Sequence, residues 1–373
     1  MRYILIFLGV IAITGQIFAQ NINLDKIEQS KLAYIHQEYI DNIHQSENLI
    51  KELMKENNIP GLSITVATVD EILWAQGFGY ADLENNVPVK INSKFRIGSL
   101  SKTLTALAIG KLIENNQLSL SDRVQKYVSY FPEKKYPIKI EALVSHTSGI
   151  RNYNYKNREY LSDKNYKTVE ESINIFKDDS LLFQPGSQYS YSTYNYTLLS
   201  AVIEGATNTN FVSFMGDSVF IPLDLRNTVP DYNYDLIENR VSFYDEDNGK
   251  IVNGYYVNNS NKWAGGGYLS TSYDLALMAQ NLLNNQFLSE STKQLLWTPA
   301  TLNNGDKTNY GIGWRIDTDA KGRRYAHHGG SSIGGRSFLL VYPNEGLAIA
   351  VTSNLSTNFD QTFVSKIAEL FIE

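Results

Sequence analysis

Strand-like runs occupy the two ends of this chain, and a long stretch of other material separates them. Near the start, G-L-S-I-T-V-A-T-V (61–69) and E-I-L-W-A-Q-G-F-G-Y (71–80) read as two strands joined by a tight turn near Asp70. Near the end, R-R-Y-A-H-H (323–328), R-S-F-L-L-V-Y (336–342) and L-A-I-A-V-T-S (347–353) read as three more, with turns at Gly329–Gly335 and Pro343–Gly346. A two-stranded ribbon is barely stable alone, so the two ends have to meet. The pattern predicts one antiparallel sheet with helices on its faces. The residues between become a mostly helical insertion. The expected fold is α/β of the α+β type, with a sheet of five or more strands. One domain spans 20–373, with a sheet subdomain at about 45–98 and 250–373 and a helical subdomain at about 99–249.

Helix signals fill in around the strands. Residues 22–58 are polar and periodic, with Leu49, Ile50, Leu53 and Met54 on one side, and Pro60 and Gly61 stop them. S-L-S-K-T-L-T-A-L-A-I-G-K-L-I-E starts a helix at about Ser99. The Gly-rich break A-G-G-G-Y (264–268) precedes T-S-Y-D, where Thr271 and Asp274 have capping-box spacing. Q-T-F-V-S-K-I-A-E-L-F-I forms a final helix. Residues 120–250 hold helical fragments and Tyr/Asn-rich connections such as R-N-Y-N-Y-K-N-R-E-Y (151–160). Tyr153 and Tyr155 there read as surface-loop residues, with a place at a substrate entrance as the alternative. No internal repeat or low-complexity tract occurs.

Composition removes several function classes. With 33 basic and 39 acidic residues and no basic cluster, the net charge of −6 argues against nucleic acid and anionic membranes as partners. The absence of cysteine rules out disulfides, thiolate metal sites, a cysteine nucleophile and lipid attachment through an N-terminal cysteine. Residues 1–19 combine a short basic start, an apolar run and a small residue, Ala19, and read as a signal peptide. Thr14, Gly15 and Gln16 interrupt the run, which disfavours an uncleaved anchor. The expected protein is secreted or periplasmic, with no membrane span after cleavage.

Few residues can carry chemistry. The five histidines, His36, His44, His146, His327 and His328, form no zinc-binding pair, and no phosphate-cradling glycine loop occurs. His36 and His44 lie on a polar stretch and read as solvated. Gly330-Ser331-Ser332-Ile333-Gly334 matches G-x-S-x-G, but a strand follows it where a nucleophile elbow needs a helix, and no histidine lies downstream. Ser99 and Lys102 are different. At a helix start, positions three apart share a face, so hydroxyl and amine can meet. Lysine serves as the base for a serine only when its amine is neutral, and burial beside another cation can arrange that. The chain has only this one S-x-x-K.

Four further blocks accompany that motif: L-V-S-H-T-S-G-I (143–150), F-Q-P-G-S-Q-Y-S-Y-S-T-Y-N-Y-T (183–197), K-W-A-G-G-G-Y-L-S-T (262–271) and H-H-G-G-S-S-I-G-G-R-S-F-L-L-V-Y-P (327–343). In order and spacing the set resembles the serine β-lactamase and penicillin-binding-protein superfamily, on its class C and esterase-like side. Within it, the chain resembles the group of the mitochondrial serine β-lactamase-like protein and its bacterial relatives. The resemblance covers roughly residues 45–370 and implies a β-lactamase/transpeptidase-like architecture. It implies Ser99 as the acylated nucleophile, Lys102 as an amine that helps take its proton, and Tyr191 as partner in the base role. His328, Gly329 and Gly330 match the third motif on the sheet edge, and the N–H groups of Ser99 and Ser331 would form the oxyanion hole. His146 reads as structural, and Trp263 with Gly265–Gly267 as the floor of the cleft.

Two positions depart from the pattern. Thr193 stands where many relatives have asparagine, and His328 where true lactamases have lysine. A largely neutral histidine is a poor anchor for a β-lactam carboxylate. The resemblance therefore implies a serine hydrolase working through an acyl-enzyme on amide or ester bonds of a small molecule or peptide. A peptidase is expected, with no metal or organic cofactor. D,D-carboxypeptidase and weak β-lactamase are the alternatives. A homo-oligomer or filament-forming assembly protein is the alternative of another class, because the mitochondrial relative forms filaments.

Overall fold

The computed structural model describes residues 33–356, 359 and 361–372. The proposed leader, residues 1–19, lies outside them. Eight strands form the main sheet: β1 (Tyr34–Ile35), β2 (Gly61–Thr68), β3 (Ile72–Asp82), β4 (Val87–Pro88), β5 (Arg315–Thr318), β6 (Arg324–Ser332), β7 (Gly335–Tyr342) and β8 (Leu347–Ser353). Their order is β1-β3-β2-β8-β7-β6-β5, with β4 paired to β3, and every pairing is antiparallel. The two ends of the chain join where β2 meets β8, from Thr68 opposite Leu347 to Leu62 opposite Ser353.

The longer helices are α1 (Ile40–Glu56), α2 (Ser101–Glu114), α3 (Thr193–Thr207), α4 (Ser272–Leu283) and α5 (Gln361–Phe371). Strand alternation sorts large from small side chains. Leu347, Ile349 and Val351 of β8 face α1 and α5 with Leu62, Ile64 and Val66 of β2. The opposite face pairs Ser63 with Thr352, Thr65 with Ala350 and Ala67 with Ala348. Such small residues let α4 come close. The Oγ of Ser272 lies 2.7 Å from Ser63 Oγ and 2.9 Å from Thr65 Oγ1. Thr271 caps α4 by accepting the N–H of Asp274 at 3.0 Å, as its spacing predicts.

Residues 101–110 of α2 and 193–203 of α3 are buried on every side. A helix buried all round is an interior helix, and α2 is one although Ser101, Lys102, Thr103 and Thr105 are among its buried residues.

Two expectations need correction. The helix expected over 22–58 is shorter: α1 begins at Ile40, and Tyr34–Ile35 instead pair with Ala75 and Trp74 of β3. Residues 22–32 lie outside the described part. An unpaired strand edge offers hydrogen bonds that outweigh weak helical periodicity. The turn expected at Gly329–Gly335 is also shorter. β6 runs on to Ser332, which pairs with Gly335, and only Ile333 and Gly334 turn. The G-x-S-x-G match is thus part of a hairpin.

Candidate active site

Backbone geometry sets the nucleophile position before any side chain does. The chain leaves a short strand, Phe95–Arg96, and enters a 3₁₀ turn, Gly98–Leu100, that leads into α2. Gly98 has φ +49°, and a Cβ there would lie 2.4–2.7 Å from the backbone of Ser331. Only glycine meets both demands. Strand β5 pairs with β6 only as far as His327, opposite Arg315. Beyond it the edge of β6 is free and lies against this turn. A Cβ on Gly330 would sit 1.8 Å from Ile97 O, which also accepts from Ser337 Oγ at 2.7 Å. Ser99 and the stretch His328–Ser331 are therefore held together by backbone contact.

Lys102, the second residue of α2 and one turn after Ser99, is fully buried. Its Nζ lies 3.2 Å from Ser99 Oγ, 2.6 Å from Gly265 O and 3.5 Å from Thr193 Oγ1. Burial pushes its pKa well below the usual lysine range, and the cations Lys262 and Arg315 push it further. A neutral amine has two N–H groups and one lone pair. The N–H groups fit Gly265 O and Thr193 Oγ1, which leaves the lone pair for the Ser99 hydroxyl. Gly265 lies in a helical turn, Trp263–Gly266, whose Ala264 O also accepts from Thr105 Oγ1 at 2.8 Å. A Cβ on Gly265 would come within 2.7 Å of Thr193 Cγ2, so this glycine gives Thr193 its place.

Tyr191 covers the pair from above, with Nζ of Lys102 4.9 Å from its ring centroid. Its hydroxyl is buried without a hydrogen bond of standard geometry. Burial raises its pKa, and the nearby Ser99 hydroxyl and the Arg315 charge pull it partly back. The phenol is protonated at rest. His146 holds the segment in place: its backbone carbonyl accepts from Ser190 N at 2.9 Å, and its Nδ1 accepts from Ser192 N at 3.2 Å. The ring centroids of His146 and Tyr191 are 4.2 Å apart. Burial first, then Lys102, lowers the His146 pKa well below its usual value, which keeps it neutral.

His328 is equally buried. Its Nδ1 donates to Gly329 O at 2.7 Å and its Nε2 accepts from Tyr310 Oη at 3.0 Å. Burial first, and then the proximity of Lys102, lowers its pKa well below 6.5. With both nitrogens engaged and no charge, it offers no cation to a substrate. Two cations act on Lys102. Arg315 lies over the rings of Tyr191 (5.7 Å) and Tyr310 (5.5 Å), and Lys262 lies over Tyr153 (5.5 Å).

This arrangement matches a known family. The model of the family described as Beta-lactamase matches residues 47–368. The chain belongs to the Beta-lactamase family. It is 32% identical to the mitochondrial serine beta-lactamase-like protein LACTB of Homo sapiens, over 81% of this chain and 72% of that protein. It is 27% identical to penicillin-binding protein 4* of Bacillus subtilis (strain 168), over 85% and 73%. Among solved structures, the octameric penicillin-binding protein homologue from Pyrococcus abyssi superposes with a TM-score of 0.77 at 25% identity, over 88% of this chain and 77% of that one. Like other Beta-lactamase family members, the chain is a serine hydrolase with acyl-enzyme chemistry. No helix among the described residues is long and apolar enough to cross a membrane.

Ser99, Lys102, Tyr191, Thr193, His328, Gly329, Gly330 and Ser331 all converge on this cleft. The two loop tyrosines separate: Tyr153 packs edge-on against buried Tyr194, while Tyr155 is exposed. His44 is exposed as expected, but His36 is half-buried, with Nε2 3.7 Å from a carboxylate oxygen of Glu71. Lys262, Tyr310, Arg315 and the Gly265 carbonyl escaped sequence reasoning. Only Lys262, directly before W-A-G-G-G, had a sequence signal that could have marked it.

Proposed function

We propose that this protein is a peptidase-type serine hydrolase, acting outside the cytoplasm on amide or ester bonds. One observation carries the reading: Lys102 is fully buried among cations, with Ser99 Oγ within reach of its lone pair. A lysine held neutral there has little structural use and is suited to take the proton of Ser99.

In this reading Ser99 Oγ attacks the substrate carbonyl and its proton passes to Lys102. Tyr191 begins protonated, so it acts as a relay, giving a proton to the leaving group and regaining one from the Lys102 ammonium. The developing oxyanion is met by the N–H groups of Ser99 and Ser331. Water then attacks the acyl-enzyme by the reverse proton path. Thr193 Oγ1 orients the Lys102 amine, and the glycines of His328-Gly329-Gly330 keep the β6 edge close to the substrate backbone. The neutral His328 speaks against β-lactams as the main substrate.

The test is intact mass after exposure to a fluorophosphonate probe. A single adduct in the parent, absent in Ser99→Ala, is expected. A folded parent without adduct overturns the hydrolase mechanism. Light scattering on the same sample reads the assembly state, which is octameric in the Pyrococcus homologue.

A further inference from the structure

Lys262 is a second buried lysine in the cleft, and the steps above leave it unused. It is 9% exposed. Its stem runs beside Gly266: the position of a Cβ on that glycine lies 3.9 Å from Lys262 Cδ and 3.6 Å from the carbonyl carbon of Gly98, the residue before Ser99. Its Nζ is held over the Tyr153 ring at 5.5 Å, a cation–π contact. The stem thus passes next to the nucleophile turn, and the amine ends at Tyr153.

No carboxylate among the described residues forms an ion pair with it. The carboxylate that acts on it from a distance is Asp231, which faces more cations than it can balance. Its Oδ2 accepts from Arg96 Nε at 2.7 Å and Asn259 Nδ2 at 2.9 Å, and its Oδ1, without a hydrogen bond, lies 3.6 Å from Arg240 Nη1. Burial, and next the Arg96 charge, push the Lys262 pKa down to about 8 while Asp231 pulls it back up, so the amine is still mostly charged at neutral pH. A desolvated ammonium without a counter-ion is costly. The cost makes sense when the counter-ion arrives with the ligand. The position that would supply a cation by family resemblance, His328, is neutral and fully engaged.

We propose that Lys262 is the carboxylate anchor of the cleft, so that preferred substrates carry an acidic group on the Tyr153 side of the scissile bond. The assignment rests on the hydrolase reading for its consequence, but the binding step can be tested without turnover.

N-acetyl-glutamate and its neutral isostere N-acetyl-glutamine are titrated calorimetrically into Ser99→Ala protein. The acid should bind about tenfold or more tightly than the amide, the scale of one charge-assisted hydrogen bond. Adding Lys262→Met should erase that preference, and Lys262→Arg should keep it. No preference for the acid in Ser99→Ala, or a preference that survives Lys262→Met, overturns the proposal. So does loss of the preference in Arg315→Met with retention in Lys262→Met, which would move the anchor to Arg315. Lys262→Gln replaces Lys262→Met if the latter does not fold. Because calorimetry needs no acylation, a missing fluorophosphonate adduct with an intact acid preference would sink the hydrolase mechanism and leave the anchor standing.

Discussion

The two faces of the sheet are built on opposite principles. Toward α1 and α5, side chains such as Ile64, Phe78, Leu340 and Ile349 are fully buried in an apolar cluster. Toward α2, the same sheet contributes His328 and borders Lys102, His146 and Tyr191, polar groups buried near cations or without full hydrogen bonding. The first face supplies stability. The second spends some of it to keep a lysine, two histidines and a phenol uncharged within reach of one serine. Burial alone therefore says little about a residue's role; its sign of contribution does.

The sharpest way to break this contrast is Lys102→Met. Acylation should slow by ~10²–10⁴, the scale of a lost general base, while the melting temperature rises. A fall in both would make Lys102 a structural residue. The pH dependence has a definite sign. The folded pKa of Lys102 is depressed, so between that value and the unfolded ~10.4 the unfolded chain binds more protons. The stability penalty of Lys102 is then largest at low pH and shrinks as pH rises. The thermal gain from Lys102→Met should fade toward pH ~10.

On the other face, Ile349→Ala should cost ~2–5 kcal/mol in denaturant unfolding. The fluorophosphonate rate of the folded fraction should stay at the parent value. A rate loss larger than the folded fraction explains would show that the two faces are coupled.

Gly330→Ala probes the seam between them. Its Cβ would meet Ile97 O at 1.8 Å, whereas a Cβ on Gly329 comes no nearer than 3.3 Å to any atom, the nearest being in the Phe338 ring. Gly330→Ala should cost ~1–3 kcal/mol and slow acylation more than Gly329→Ala does. Equal effects would mean that the Ile97 backbone can move aside.

The smallest effect concerns charge. Arg315→Met removes a cation that lowers the Lys102 pKa. The acid limb of kcat/KM should move to higher pH, because Lys102 then holds its proton longer. An unmoved limb would assign it to a group that the Arg315 charge does not reach.

Much of this was legible in the chain. The sheet runs were marked by alternation, α4 by its Thr271 cap, and the nucleophile by a serine and a lysine one turn apart. β1 was not, because two residues on a sheet edge carry no period of their own and gain their hydrogen bonds from β3. The hairpin after β6 was set too long, because G-G-S-S reads as turn by composition. Those small residues are strand residues here, chosen for the approach of the Ile97–Ser99 backbone.

By itself the sequence determined what depends on neighbours along the chain: strand period, helix caps, the i, i+3 meeting of Ser99 and Lys102, and the lack of any thiol. Tertiary structure alone decided charge and reach. His328 is neutral because Tyr310 and Gly329 take both its nitrogens in a buried site. Lys102 is aimed by Gly265, which lies 163 residues further along. Lys262 makes no ion pair, because the one carboxylate that acts on it, Asp231, is held through Oδ2 by Arg96 and Asn259. Protonation follows burial and the sum of nearby charges, and both are properties of the packed molecule, assembled from parts of the chain that cannot sense one another until it folds.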